Sequence, residues 1–317
     1  MSIAAMPPWL QPQCRTLQQA WAQGRFAHSL LIEGGRGRGG NWLASWTAAL
    51  AHCREPARPC LRCADCERVF ADQQPDVYRL MPEEDSREIR IDQVRTLAGE
   101  LALTRHGAGR KVAILTPADR LNRNAANALL KTLEEPSGES LLILVAALPS
   151  RLPATIRSRC MRLRIPRPDA AVALAWLEAE RPGVDWPAVL RLHGGEPIAA
   201  LEADVEASAA VLRTTEAALG GQDARLDPIA LADGWSRQHY ELRLAAIENC
   251  ITDALRDATL AHLPAAESRP NIRALFAALD ATREAVALAD TPVNKTLVLE
   301  RLLWMLSNAR SVRRSAS

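Results

Sequence analysis

Lys111–Cys160 reads KVAILTPADRLNRNAANALLKTLEEPSGESLLILVAALPSRLPATIRSRC, and this stretch decides the fold. Val112–Leu115 and Leu141–Val145 are short apolar runs of strand length. Between them Ala126, Leu129, Leu130 and Leu133 recur at three- and four-residue spacing, which puts them on one face of a helix. Asn122 or Asn124 can cap its start, and Pro136 closes it after Glu135. Strand, helix and strand make a βαβ unit, which calls for a parallel sheet covered by helices. The Ser158-Arg159-Cys160 turn beyond the second strand carries an arginine placed to reach outward.

Working outward, 317 residues suffice for two or three domains with a sizeable core, and 48% hydrophobic content makes the chain globular. A net charge of +2 argues against a protein that coats DNA electrostatically. No apolar run is long enough to span a bilayer, and the N-terminus MSIAAMPPWLQPQC lacks the pattern of a secretory signal, so a cytoplasmic location is expected. Seven cysteines, four of them clustered, suit a metal site in a reducing compartment better than a disulfide set.

Upstream, the strand Ser29–Glu33 leads into Gly34-Gly35-Arg36-Gly37-Arg38-Gly39-Gly40-Asn41 and then a helix from Trp42 to Ala51. Strand, glycine loop and helix are the setting of a phosphate-binding loop. The chemistry of G-x-x-x-x-G-K-[ST] needs a lysine on the phosphates and a hydroxyl on Mg²⁺. Aligned on Gly34 and Gly39, those positions hold Gly40 and Asn41. Arg36 or Arg38 can attract an anion, but without lysine and hydroxyl no functional ATP site is expected here.

Cys53, Cys60, Cys63 and Cys66 follow, spaced C-x6-C-x2-C-x2-C. C-x2-C turns present thiolates from one knuckle, and four of them suit tetrahedral Zn²⁺ in a closed, structural site. An iron–sulfur cluster uses the same ligand type, and a chance group of free thiols is the plain alternative. Pro59 and the charged residues around it break any packing pattern, which favours the metal. A second strand is expected over Asp76–Leu80 and a helix from Ile91 to Leu103, with Ile91, Val94, Ala98 and Leu101 on one face. Met161–Ile165 alternates like a last strand before Pro166 and Pro168.

The rest is helical: Ala170–Glu180, Trp186–Leu192, a His193–Pro197 turn, then Ile198–Leu201. From Val205 a helix runs to a break at Gly220–Asp227, and a long one is expected from Trp235 to His262 with Trp235, Tyr240, Leu244, Ile247, Ile251 and Leu255 as its stripe. Pro264–Pro270 ends it, Asn271–Ala289 follows, and a last helix runs from a Thr291–Asn294 cap to Asn308. Arg310–Ser317 reads as a disordered basic tail.

NALLKTLEEP followed by LPATIRSRC, with IDQVR at Ile91–Arg95, resembles the clamp-loader family of AAA+ proteins, which place a sliding clamp on DNA at a replication fork. The likeness covers most of the chain and is tightest from Ile91 to Ile165. It implies an α/β domain followed by all-α structure: a RecA-like AAA+ parallel-sheet domain over 1–166 with the zinc module 53–66 inserted, a small helical lid over 167–204, and a helical collar for oligomerisation over 205–317. It implies that Arg159 is an arginine finger reaching the ATP of a neighbouring subunit in trans. The partners implied are other clamp-loader subunits, gamma/tau and delta, in a hetero-pentameric ring, and through them the sliding clamp and primer-template DNA.

Working members of the family end the strand over Val112–Leu115 with Asp-Glu, where this chain has Thr116-Pro117, and Asp119 lies too far along to stand in for them. They also carry a polar sensor where Ala146 and Ala147 stand. The lid arginine near Pro197 is missing too. The resemblance therefore implies a non-hydrolysing member with no ATPase or polymerase activity of its own, inside a DNA-directed DNA polymerase (nucleotidyltransferase) holoenzyme. An ATP-hydrolysing motor subunit of the same fold and a stand-alone zinc-dependent DNA-binding protein are the alternatives. Blander readings sit beside these: Arg159 as a surface arginine, Glu134 and Glu135 as a solvated helix end, Cys160 as a small buried residue, and Cys14 and Cys250 as helix packing.

Overall fold

A computed structural model of the chain describes residues 6–84, 86–107, 109–220, 227–260, 271–289 and 291–311. The first elements in order are α1 (Gln11–Ala22), β1 (Ser29–Glu33), α2 (Gly40–His52), α3 (Ala64–Phe70), β2 (Val77–Leu80), α4 (Ile91–Ala102) and β3 (Val112–Leu115). Then come α5 (Arg123–Glu134), β4 (Leu141–Ala146), α6 (Ala154–Arg157), β5 (Met161–Arg164) and α7 (Ala170–Glu180). The strands form one sheet in the order β2-β3-β4-β1-β5, every neighbouring pair parallel. The expected βαβ unit is therefore β3-α5-β4.

The two faces of this sheet divide by strand parity. Ala113 and Leu115 of β3 and Leu142, Leu144 and Ala146 of β4 join a core with Val94, Leu97 and Leu101 of α4 and Ala125, Ala126, Leu129 and Leu133 of α5. Each fully buried leucine contributes on the order of 1.5–3 kcal/mol. Asn122 is the cap of α5, its side chain accepting from the Ala125 amide at 2.9 Å. Leu97, not Ile91 or Ala98, completes the buried stripe of α4 with Val94 and Leu101. The opposite face of β1 and β4 meets α2, which buries Trp42, Leu43, Trp46 and Leu50. All of α2 but Asn41 is buried.

The chain divides into two compact units, Met1–Trp176 and Leu177–Ser317. The second contains α8 (Trp186–Leu192), α9 (Pro197–Glu202), α10 (Val205–Gly220), α11 (Pro228–Arg237), α12 (Tyr240–Leu260), α13 (Ile272–Ala287) and α14 (Lys295–Ser311). Tyr240, Leu244, Ile247, Ile251 and Leu255 of α12 pack with Leu275 and Leu279 of α13 and Leu299, Leu302, Leu303 and Leu306 of α14.

Two further expectations need correction. Trp235 lies in a separate helix, α11, which ends at Arg237; the chain turns at Gln238-His239, with His239 at φ 54°, before α12 begins. The apolar stripe continues across that break because Trp235 joins the same core. Secondly, α14 runs to Ser311, past the expected end at Asn308. The Pro264–Pro270 break, most of the Gly220–Asp227 break and tail residues 312–317 lie outside the described residues. No described helix is long and apolar enough to cross a membrane.

Candidate functional site

The glycine loop leaves β1 at its C-terminal end and enters α2. Its first amide, Gly34 N–H, donates to the Ala146 carbonyl of β4 at 3.0 Å. The next amides turn back on the loop: Arg38 donates to Gly35 O at 3.1 Å, Gly39 to Arg36 O at 3.0 Å and Gly40 to Gly35 O at 3.2 Å. A phosphate cradle needs such amides aimed at the anion; here loop carbonyls take them. Gly39 sits at φ 96°, where a side chain is strained. Trp9 reinforces the turn from outside, its indole donating to Arg38 O at 2.9 Å.

Gly40 occupies the position at which a working loop has its lysine. A Cβ there would lie 2.3 Å from the Gly34 carbonyl oxygen and 2.6 Å from Val145 Cγ1. The lysine is thus missing from the sequence and excluded by the backbone. The two Mg²⁺ positions have been turned on each other. The Thr116 hydroxyl, at the end of β3, donates to Asn41 Oδ1 at 2.6 Å. Nearby carboxylates are also engaged. Asp119 accepts from the amides of Ala147 and Leu148, both at 3.2 Å, and Glu33 pairs with Arg162 at 2.5 Å. Asp119 therefore braces the turn after β4, a role its distance from Thr116 did not suggest.

Arg159 lies at the other end of the strands. β5 begins at Met161, opposite Leu30, and Ser29 at the start of β1 donates its hydroxyl to the Arg159 carbonyl at 2.7 Å. The side chain is 38% exposed. Its Nη1 donates to the Thr155 carbonyl at 3.0 Å, and Nη2 pairs with Glu134 Oε1 at 2.5 Å. Below it Cys160 is buried, and burial pushes its thiol up to about 11. β1 separates this turn from the chain's own glycine loop by five residues, roughly 13–16 Å at about 3.3 Å per residue. Arg159 thus lies well away from the chain's own glycine loop.

The four cysteines come together as expected. Cys53 caps the C-terminus of α2, Cys63 precedes α3 and Cys66 lies in the first turn of α3. Their sulfurs all fall within 4.8 Å of one another, and Cys63 and Cys53 Sγ are 3.9 Å apart. A tetrahedron of Zn–S bonds near 2.3 Å has edges of about 3.8 Å, so the cluster fits the size of a tetrahedral thiolate metal site. Leu61, between Cys60 and Cys63, takes a left-handed φ of 58° that tightens the knuckle. The Arg62 amide brings Cys60 down to about 7, whereas burial raises Cys53 and Cys66. A group of thiols this dense is suited to a cation that draws off their protons. An ion held by all four sulfurs would have no open position for chemistry. Gln18 of α1 ties the module to the sheet domain through Arg58 O at 3.0 Å.

The sequence located the four cysteines, the loop and Arg159, but missed the partners of each. Nothing in their spacing couples Glu134 to Arg159 or Asn41 to Thr116, because both pairs form only when the sheet assembles.

A model of the family described as DNA polymerase III, delta subunit, matches residues 10–169. Among curated proteins, DNA polymerase III subunit delta' of Pseudomonas aeruginosa is 42% identical over 205 residues, 62% of this chain and 61% of that protein. The Escherichia coli subunit delta' is 37% identical over 198 residues, 61% of this chain and 59% of that protein. The chain thus spans about three fifths of the length of these relatives. Among solved structures, a DNA polymerase III gamma subunit-related protein of Thermotoga maritima aligns over 95% of this chain and 99% of that one, with a TM-score of 0.48 and 17% identity.

Proposed function

Since the chain belongs to the DNA polymerase III delta-subunit family, we propose that it acts as the non-hydrolysing delta' subunit of a clamp-loader complex, lending Arg159 to a neighbouring subunit's ATP. The observation that carries this reading is the closed loop. The amides of Arg38, Gly39 and Gly40 are bonded to the loop's own carbonyls, and Gly40 has no room for a side chain. Ground-state binding and transition-state charge stabilisation both need groups this loop has turned inward. The exposed guanidinium at the opposite end of the strands supports a role toward a partner. Arginine suits that role because its planar fork matches phosphate oxygens where lysine would present only a point charge.

In this reading residues 1–166 form the AAA+ domain, 167–204 the lid and 205–317 a collar that holds the ring together. The partners are gamma/tau and delta subunits, and the complex acts on the sliding clamp and primer-template DNA. Cys53, Cys60, Cys63 and Cys66 hold one structural Zn²⁺. The chemistry that ion supplies is folding energy for a loop that has little apolar core of its own.

The test has two arms. The isolated chain is assayed for Mg-ATP binding and turnover, with neither expected. The complex reconstituted with Arg159→Ala is assayed for ATP-dependent clamp loading, with assembly checked by native mass. Robust turnover by the isolated chain, or normal loading by an assembled Arg159→Ala complex, would reject the proposal.

A further inference from the structure

Glu134 is the last residue of α5 and lies half in solvent. A carboxylate there opposes the dipole of its own helix, whose C-terminal end favours cations. Such a placement calls for a compensating charge, and the structure provides one: Arg159 Nη2 at 2.5 Å. The same guanidinium uses Nη1 on the Thr155 carbonyl at 3.0 Å. These two bonds, one to α5 and one to α6, define the plane of the fork. A guanidinium has five N–H donors, so three remain for another ligand.

We propose that Glu134 is a positioning residue: it orients the Arg159 fork so that its remaining donors meet a partner's phosphate without first losing rotamer freedom. This inference rests on the finger role assigned to Arg159 above. An unrestrained arginine spreads over many rotamers, and each productive encounter must select one. Glu134 takes that ordering out of the encounter by holding the side chain in advance. The pair is open to solvent, so its contribution is modest beside that of Arg159 itself.

Six complexes test it: those with the unaltered chain, Glu134→Ala, Arg159→Ala, the double variant of these two, Glu134→Gln and Glu134→Lys, each assembled with partner subunits and assayed for clamp-stimulated ATP turnover. Glu134→Ala is expected to lower kcat by about fivefold, the scale of an exposed ion pair, with KM for ATP unchanged. On the Arg159→Ala background the same change is expected to do nothing, since there is no fork left to aim. Glu134→Gln keeps an acceptor oxygen and recovers most of the loss. Glu134→Lys repels the guanidinium, falls below the alanine variant, and serves as the readout if alanine disturbs assembly. The inference is overturned if Glu134→Ala and Glu134→Lys both match the unaltered complex while Arg159→Ala is impaired. An equal loss on both backgrounds overturns it as well. A silent Arg159→Ala would instead bring down the finger role, and this inference with it.

Discussion

The loop after β1 and the turn before β5 lie at opposite ends of adjacent strands and have opposite states. The loop is rich in donors but spends them internally: Arg38, Gly39 and Gly40 amides on loop carbonyls, and the Thr116 hydroxyl on Asn41. The turn has one long cationic side chain, two of whose donors are bonded and the rest available. The loop is glycine-rich and mostly buried, whereas Ser158 and Arg159 of the turn are exposed. What also separates them is whether hydrogen-bonding capacity is left over once the fold has taken its share. A closed loop cannot recruit phosphate without breaking bonds it already has, whereas a guanidinium has donors to spare.

The sharpest way to break this contrast is at the turn. Arg159→Ala in the assembled complex is expected to slow turnover of the neighbouring subunit's ATP by roughly 10³–10⁵, the range for fingers supplied in trans. The chain's melting temperature should hardly move, because the side chain is exposed. Rapid-quench measurement of ATP hydrolysis reads the first quantity and thermal melting the second. A large stability loss with unchanged hydrolysis would make Arg159 an ordinary structural arginine.

The next effect concerns α2, whose N-terminus carries the closed loop and whose C-terminus is capped by Cys53. Cys66→Ser is expected to remove about one equivalent of zinc and cost on the order of 4 kcal/mol, as loss of a structural metal does. Elemental analysis and denaturant melts check it. The loop should stay closed, since its bonds are its own. If the zinc-free chain began to bind ATP, the module would be what holds the loop shut.

A smaller effect is expected at the loop itself. Gly40→Lys restores the missing phosphate ligand in name, yet its Cβ meets the Gly34 carbonyl at 2.3 Å. The variant is expected to lose about 1–3 kcal/mol through overpacking and to gain no ATP affinity, by calorimetric titration. Acquired ATP binding would show that the loop opens at little cost. On the other side of the comparison, Asn122→Ala removes the cap of α5, the helix that ends at Glu134. It should cost about 1 kcal/mol in urea unfolding.

How much of this was legible beforehand follows from the range over which each feature is decided. The strand-helix-strand centre and the cysteine knuckle are set by residues close in sequence, and periodicity and spacing exposed them, while the cap of α5 was narrowed only to Asn122 or Asn124. The α11–α12 break was hidden because His239 takes a left-handed φ with no glycine to signal it, while the apolar stripe runs straight through. The missing lysine was visible in the sequence. That the lysine could not be accommodated was not, because the obstacle is the Gly34 carbonyl folded back over Gly40. Likewise Glu134 looked like a solvated helix end until α6 brought Arg159 beside it.

The smallest effect probes whether the turn is rigid enough to present an arginine at all. Cys160 adjoins Arg159, is 8% exposed, and has its thiol raised by burial to about 11. At pH 8 this thiol is then far less ionised than a free one, and the thiolate is the species that alkylates. Native chain treated with iodoacetamide at that pH should leave Cys160 unmodified, while the same residue reacts readily in denaturant, as peptide mass mapping would show. The linkage has a definite sign. The folded state holds the proton more tightly than the unfolded state, so this thiol contributes stability below its ordinary value near 9 and loses it as pH rises toward 11. Cys160→Ala should flatten that alkaline decline. Fast native labelling at pH 8 would mean that the Ser158–Cys160 turn opens often, and a fork on an opening turn could not be held ready for a partner's phosphate.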